Sequence, residues 1–330
     1  MKTIMLSSNF LLFEALLSRW SLSTRERDYY QRLQKGVIGE RSLINFLQAL
    51  DSPNIIPLFD LRFQINEQEI QIDCLLLTSD SLFLLEVKNY KGDYYYENHK
   101  FYQVSTRKEI YNPITQLERT EFLFKKLLQD LRVSFPLRSF LVFINPSFYL
   151  YQSPILPQFL YYGQIEGFFQ SITKKAPPLT KQTLQLKEEL MSRKIERSKY
   201  GIVPDYRKEE LKRGLFCPLC HYNLDRKGQL YLYCRQCKER FHVYDTLLHA
   251  IAQFQLLFPE EKITTGKITD WCGQAFSRAF ISRFLKRHLK MQPNGSYTYY
   301  TFNNKEEVRR LLAESYAMKL ERKVGSSISF

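Results

Sequence analysis

The sequence is poor in glycine and proline, which contribute only 12 and 13 of its 330 residues. Together with the lack of any fixed repeat, this scarcity excludes collagen-like and low-complexity proteins. No stretch reaches the roughly 18 to 20 consecutive apolar residues of a membrane span, and no small-residue cleavage site follows the short apolar run within residues 1–20. We therefore expect a cytoplasmic protein with reduced thiols and no membrane partner.

Positive charge is in clear excess. The chain has 48 Lys and Arg residues against 34 Asp and Glu, a net charge of +14. Residues 201–330 alone hold 22 basic and 13 acidic residues, a net charge of +9. Such a surplus favours an anionic partner, either nucleic acid or an acidic membrane surface. We expect nucleic acid, with DNA preferred to RNA.

Apolar runs of strand length alternate with amphipathic runs of helix length between residue 36 and about residue 165. This alternation predicts an α/β sandwich. Further along, the composition changes twice. The expected segments are an N-terminal helical segment (1–32), the α/β domain (33–165), a connector (166–212), a cysteine module (213–242) and a helical module (243–330).

Three charged residues lie within the predicted strands of the α/β domain: Asp73, Glu86 and Lys88. Side chains two residues apart share a face of a strand, so Glu86 and Lys88 project together. A hairpin return would bring Asp73 close to Glu86, and Glu40 on the preceding helix could add a third carboxylate. Mg²⁺ prefers carboxylates with water and substrate phosphate, and a nearby lysine offsets transition-state charge. Spacing alone leaves open a structural Glu–Lys pair on an edge strand.

The surrounding residues resemble a known family. Four segments carry the resemblance, namely GVIGE at 36–40, QIDCLL at 71–76, LEVKNYKG at 85–92 and NPITQL at 112–117. In this order they resemble motifs of the nuclease-related domain (NERD) family, within the PD-(D/E)xK, restriction-endonuclease-like superfamily. The resemblance covers roughly residues 33–150 and implies a mixed sheet flanked by helices.

The same resemblance implies roles for individual residues. Asp73 and Glu86 match metal-binding carboxylates, and Lys88 matches the catalytic lysine. Glu40 matches a helix glutamate that would hold the metal directly or through water. Gln116 matches a helix glutamine that would contact phosphate or water.

Four cysteines form two CxxC pairs separated by 13 residues. They are Cys217, Cys220, Cys234 and Cys237. In a reducing compartment this spacing predicts a structural Zn²⁺ in a small zinc ribbon. A redox CxxC is the competing interpretation. Because four thiolates complete a tetrahedron, we expect His221 and His242 to be bystanders.

The last module is predicted to contain a helix, a short helix, a basic helix over 276–289, a turn at 293–295 and a strand over 297–302. Four cations spaced i, i+3, i+4 and i+7 would share one face, namely Arg283, Lys286, Arg287 and Lys290. The order resembles a winged helix-turn-helix, in which the basic helix enters the major groove. The alternative is a solvated basic face, since the helix dipole also favours cations near a C-terminus.

Together the patterns predict a metal-dependent nuclease that hydrolyses phosphodiester bonds in DNA and is targeted by its C-terminal modules. The expected cofactors are Mg²⁺ or Mn²⁺ and one structural Zn²⁺. One alternative is a non-enzymatic DNA-binding or regulatory protein with a nuclease-like scaffold. The other is an RNA-processing nuclease.

Overall fold

The structure, a computed structural model, describes residues 6–50, 52–195, 201–294 and 297–325. The chain divides into two compact units. Residues 31–200 form what we call the sheet unit, and residues 1–30 with 201–330 form the cysteine unit. The helices of the described residues are α1 (Ser8–Leu16), α2 (Thr24–Leu50), α3 (Pro113–Asp130), α4 (Tyr162–Lys175), α5 (Lys181–Arg193), α6 (Val243–Leu257), α7 (Thr265–Trp271), α8 (Arg278–His288) and α9 (Lys305–Gly325).

The strands form two sheets in the sheet unit and two smaller ones in the cysteine unit. In chain order they are β1 (Ile56–Ile65), β2 (Gln68–Leu77), β3 (Leu82–Lys88), β4 (Gly92–Glu97), β5 (Lys100–Gln103), β6 (Glu109–Ile110), β7 (Leu137–Phe143), β8 (Phe148–Tyr151), β9 (Phe159–Tyr161), β10 (Leu224–Lys227), β11 (Tyr231–Cys234), β12 (Arg240–His242), β13 (Lys290–Asn294) and β14 (Tyr297–Thr301).

The sheet unit is organised around a five-stranded sheet in the order β1-β2-β3-β7-β9. Strands β1 to β3 pair antiparallel, whereas β7 and β9 run parallel to β3. Helix α3 contributes to the core on one face, and α2 and α4 contribute to the core on the other. The smaller sheet β6-β5-β4-β8 packs into the core on the α3 side. This mixed sheet flanked by helices confirms the predicted α/β fold.

Part of the expected connector belongs to the core of the sheet unit. Leu186 and Leu190 of α5 are almost completely buried, and they lie in the same apolar cluster as α3. The hydroxyl of Thr183 also donates to the backbone oxygen of Thr78 at 3.4 Å. The partner of the Thr183 hydroxyl lies 105 residues earlier in the chain, so the local sequence of α5 does not show that this helix belongs to the core.

The cysteine unit contains the three-stranded sheet β10-β11-β12, helices α1 and α6 to α9, and the hairpin β13–β14. The element order after β12 is helix, short helix, basic helix and hairpin, as predicted. Between α6 and α7, Ile263 forms an isolated antiparallel bridge with Tyr300 of the hairpin. The predicted turn tip at residues 295–296 lies outside the described residues.

Helix α1 is part of the cysteine unit, which differs from the separate N-terminal segment expected over residues 1–32. Phe10, Phe13 and Leu16 of α1 are fully buried, and the helix packs against α6 and α9. A helix of nine residues is marginal in water on its own. It is stable here because residues from the far end of the chain cover its apolar surface. None of the described helices is both long and apolar enough to cross a membrane.

Arg19 links the short segment after α1 to the rest of the cysteine unit. Its guanidinium is buried and donates to the backbone oxygens of Lys212 at 2.9 Å and Gly214 at 3.1 Å. It also donates to the side chain of Gln253 at 3.3 Å and lies 3.7 Å from the ring centroid of Trp271. Only a planar group with several donors makes these contacts at once.

We predict that Arg19→Lys destabilises the cysteine unit, because a lysine keeps the charge but loses the stacking and most of the hydrogen bonds. The loss should be about 2 to 4 kcal/mol, measured by chemical denaturation. Arg25→Lys, at an exposed position close by, is the matched control and should leave stability within about 0.5 kcal/mol. Equal stability of the two variants would show that the buried guanidinium does not fasten this segment.

Candidate active site and metal cluster

Glu86 and Lys88 lie at the C-terminal end of β3, on the face that packs toward α3. Leu82 and Leu84 precede them on this face and are buried in the core. Glu86 is only 2 % exposed, and the Nζ atom of Lys88 donates to its Oε1 atom at 2.7 Å. Because alternate residues of a strand share a face, the buried Glu86–Lys88 ion pair directly follows the apolar residues Leu82 and Leu84 on that face.

Gln116 joins this pair from the first turns of α3. The helix begins at Pro113, after the side chain of Asn112 accepts a hydrogen bond from the backbone nitrogen of Ile114. The amide of Gln116 accepts from Lys88 Nζ at 2.8 Å and donates to Glu86 Oε1 at 2.5 Å. The three side chains thus form a closed triangle. Glu86 Oε2 remains buried without a hydrogen-bond partner among the described residues.

Asp73 lies beside Glu86 on the neighbouring strand. Cys74 pairs with Leu85, and the same register places Asp73 opposite Glu86. The Oδ2 atom of Asp73 accepts the backbone N–H of Val87 at 2.8 Å. Asp73 also marks a shift in the strand, since Ile72 and Cys74 would share a face of a regular strand but pack into opposite cores. It therefore lies between the two layers of the unit.

Glu40 approaches from the other layer, on α2. The residue before it, Gly39, allows this close approach, because a Cβ atom there would lie 2.9 Å from the Cβ atom of Asn89. The side chain of Asn89 donates to the backbone oxygen of Lys35 at 2.9 Å and accepts from the amide of Asn145 at 2.9 Å. Asn89 thereby ties α2 to the ends of β3 and β7.

Asp60 is a further carboxylate that the sequence reasoning missed. Phe59 pairs with Cys74 and Leu61 with Ile72, so Asp60 lies opposite Asp73 on β1. Its φ of 46° is in the left-handed region, and its side chain accepts from Arg62 at 3.3 Å and from the Gln71 side chain. An aspartate between two apolar residues of a strand is the signal that could have identified it.

Burial and neighbouring negative charge raise the pKa values of two of the carboxyl groups, Asp73 and Glu40. Burial and the charge of Glu86 raise the pKa of Asp73 to about 8. Burial, followed by the charges of Asp73 and Asp60, raises the pKa of Glu40 well above its usual value. Burial lowers the pKa of Lys88, but the nearby negative charges, led by Glu86, outweigh this effect and raise it. The site therefore gathers more carboxyl groups than Lys88 alone can balance, and a metal ion would compete with protons for them.

This donor set fits a hard divalent cation. The carboxylates supply oxygen ligands, and the unpartnered Oε2 atom of Glu86 beside Asp73 offers a ligand atom. Among the described residues, only the four cysteines place three or more metal-binding atoms within 4.8 Å of one another. Glu40, Asp73 and Glu86 do not bring three such oxygen atoms equally close together. Mg²⁺ is usually held by one or two carboxylates together with water and phosphate, so two of these residues would suffice.

The four cysteines converge at one end of the three-stranded sheet. Cys217 Sγ lies 3.6 Å from Cys237 Sγ, and Cys220 Sγ lies 3.4 Å from Cys234 Sγ. All four sulfur atoms lie within 4.8 Å of one another, and the thiols are free. A set of four thiolates at this separation fits one tetrahedral Zn²⁺.

Both CxxC pairs end in the same backbone turn. His221 follows the first pair and Lys238 the second, and each has a φ slightly above 60°. Each also donates its backbone N–H to the first cysteine oxygen of its pair at 2.9 Å. The two histidines have other partners: His221 Nε2 contacts Lys319 Nζ at 2.9 Å, and His242 Nδ1 accepts the backbone N–H of Tyr244, the second residue of α6.

The basic residues of the last module are exposed. Arg283, Lys286 and Arg287 lie on α8, and no ion pair with another described residue engages them. The fourth predicted cation, Lys290, lies just beyond the helix, because α8 ends at His288 and Lys290 begins β13. The basic surface is therefore shared by the helix and the start of the hairpin.

A comparison with protein families agrees with the geometry of the sheet unit. Residues 35–144 match the family model described as nuclease-related domain, NERD. This one-third of the chain includes Glu40, Asp73, Glu86, Lys88 and Gln116, and it supports a nuclease-related function. No curated protein and no solved structure matches the chain.

We predict that the purified protein contains one Zn²⁺ per chain, and that Cys237→Ser loses it, because one ligand of the tetrahedron is removed. Elemental analysis measures the metal, and proteolysis should show a loosened cysteine unit with an intact sheet unit. Cys74→Ala, at a buried cysteine of the sheet unit, is the control and should keep full zinc occupancy. Zinc-free protein purified without chelators would contradict the prediction.

Proposed function

We propose that the protein is a metal-dependent nuclease that hydrolyses phosphodiester bonds in DNA. The observation that carries this proposal is the buried Oε2 atom of Glu86, which has no hydrogen-bond partner among the described residues, while Oε1 is held by Lys88 and Gln116. A carboxylate oxygen is costly to bury unpaired. A bound Mg²⁺ or Mn²⁺ would remove that cost. The family match of residues 35–144 supports the same conclusion.

Asp73 and Glu86 would hold the divalent cation, with Glu40 contributing directly or through water. When bound, such a cation supplies charge for the transition state and acidifies a water molecule. The backbone N–H of Val87 fixes Asp73, and the Lys88–Gln116 pair fixes Glu86. The protein thus supplies two oriented carboxylates on adjacent strands.

Lys88 would orient the attacking water and offset the charge that develops on the phosphate. An ammonium group has three N–H donors. Two of them are used by Glu86 and Gln116. The third is available for water or for a phosphate oxygen, and the position of Nζ is already set. Gln116 would act as a positioning residue that can also reach the phosphate.

One prediction from this proposed function concerns catalysis. Lys88→Ala should lower the rate of DNA cleavage by at least about 100-fold, the usual cost of removing one positioned donor at a transition state. Glu86→Gln should do the same and also weaken Mn²⁺ binding, measured by paramagnetic relaxation. Lys125→Ala, on the exposed surface of α3, is the control and should cleave normally.

The outcomes separate the candidate functions. Cleavage of RNA but not DNA by the wild type would favour the RNA-processing alternative. Full DNA binding with no cleavage of any substrate, in Mg²⁺ or Mn²⁺, would favour the scaffold alternative. Cleavage that persists in both variants would show that another site performs the reaction.

We further propose that the basic residues of α8 bind duplex DNA, with Lys290 at the start of the hairpin. Their charges are exposed and lie on the module whose element order matches the predicted winged helix. The net charge of +9 over residues 201–330 supports this assignment. Contacts of these cations with phosphates would release counterions and make binding salt-dependent.

A second prediction follows for the full chain. Replacing Lys286 and Arg287 together by Gln should reduce the slope of log affinity against log salt by about 1.8, since each phosphate contact contributes about 0.9. The control replaces Lys174 and Lys175, which are exposed on the sheet unit, with the same change of charge. Equal slopes for the two double variants, measured by fluorescence anisotropy on duplex DNA, would assign no DNA contact to α8.

A further inference from the structure

The three-stranded sheet of the cysteine unit has one face that its core does not use. Leu224, Leu232 and Cys234 point inward and are buried. The opposite face, which we call the ribbon face, carries two tyrosines, two cations, one histidine and one acidic residue. Its members are Asp225, Lys227, Tyr231, Tyr233, Arg240 and His242.

Strand register arranges the ribbon face in two rows. One row contains Asp225, Tyr233 and Arg240, and the other contains Lys227, Tyr231 and His242. The two tyrosines therefore lie side by side on β11, about 6.5 Å apart along the strand. Each tyrosine has a cationic residue in its own row, on the neighbouring strand.

Both rings are held in place; that of Tyr231 is exposed and that of Tyr233 is half-buried. Tyr231 is 45 % exposed and meets the ring of His242 edge-on, with 5.6 Å between centroids. His242 is itself fixed, because its Nδ1 atom caps α6. Lys227 Nζ lies 5.1 Å from the ring centroid of Tyr233. The contacts with His242 and Lys227 thus hold the two tyrosine rings in place.

The charge of the ribbon face is complementary to phosphate. Its single acidic residue, Asp225, is paired with Arg235. Lys227 and Arg240 are exposed, and neither forms an ion pair with another described residue. The ribbon face thus combines one exposed and one half-buried tyrosine ring with two exposed cations. Aromatic rings beside cations are the combination that binds single-stranded nucleic acid, in which bases stack on rings and cations follow the backbone.

We propose that the ribbon face binds unpaired bases of single-stranded nucleic acid, with bases stacked on Tyr231 and Tyr233 and phosphates at Lys227 and Arg240. A duplex keeps its base faces inside the stack and cannot use the two rings. The proposal deepens the proposed function, because it names an unpaired strand as part of the substrate. The nuclease would then act on DNA that contains a single-stranded stretch, such as a tail, gap or opened end.

The test uses the full chain with Lys88→Ala, so that the probe is not cleaved, and without chelators, so that zinc is kept. Fluorescence anisotropy measures binding of an oligothymidylate, of an abasic strand of the same length and of a matched duplex. Replacing Tyr231 and Tyr233 by Leu should weaken oligothymidylate binding by at least about fivefold for each ring. Binding of the abasic strand and of the duplex should not change.

Two further variants complete the test. Tyr222→Leu, at an exposed tyrosine of the same module outside the ribbon face, is the matched control and should bind every probe normally. Replacing Lys227 and Arg240 by Gln should reduce the salt slope for single strands by about 1.4, at about 0.7 for each contact. Each variant must retain one Zn²⁺ per chain, which shows that the ribbon is folded.

The proposal is overturned if the Tyr231 and Tyr233 variants keep zinc and bind oligothymidylate as well as the control does. It is also overturned if the abasic strand loses affinity in parallel, since the tyrosines would then not act through bases. Cleavage by the chain with intact Lys88 is assayed separately. Cleavage without an effect of the tyrosines rejects only the ribbon proposal, and tyrosine-dependent binding without cleavage rejects only the nuclease proposal.

Discussion

The sheet unit depends on the way it buries the carboxylate of Glu86. A buried charge is tolerated only when hydrogen bonds and an opposite charge surround it. Lys88 comes from the same strand and Gln116 from α3, so satisfying Oε1 fixes the start of that helix against the end of β3. The other oxygen is buried without a hydrogen-bond partner among the described residues. The fold and the site therefore use the same residue, and the exact placement of α3 is a condition for both.

Much of this arrangement could be predicted from local patterns. The two-residue period of a strand placed Glu86 and Lys88 on one face, and the hairpin return placed Asp73 opposite Glu86. Gln116 had no local signal and was found only through the family resemblance, because its contacts cross from α3 to β3. Asp60 was missed because its position depends on how the whole sheet bends. It has a left-handed backbone conformation inside a strand, and it lies opposite Asp73, where the alternation of the neighbouring strand shifts.

The cysteine unit shows the same division between local and long-range information. CxxC spacing is a local property, and the four sulfur atoms do meet. By contrast, nothing in the composition of α1 or α5 reveals which distant residues cover them. Nothing near Arg19 in the sequence shows that it is buried, because its carbonyl partner Lys212 lies 193 residues further along and its ring partner Trp271 further still. Lys290 was placed with α8 because helical spacing continues past the residue at which the helix ends.

The cysteine unit is built from two separate segments of the chain, and this has a consequence for its biosynthesis. Its first segment, residues 1–30, precedes its second segment by the 170 residues of the sheet unit. At about 5 to 20 residues per second, a ribosome needs roughly 10 to 35 s to make that intervening stretch. The sheet unit is contiguous and completes its sequence first. Throughout this interval the buried side chains of α1, such as Phe10 and Phe13, lack their native cover. The exposure of α1 to chaperones and to other nascent chains therefore lasts at least this long, and its length is set by the speed of translation.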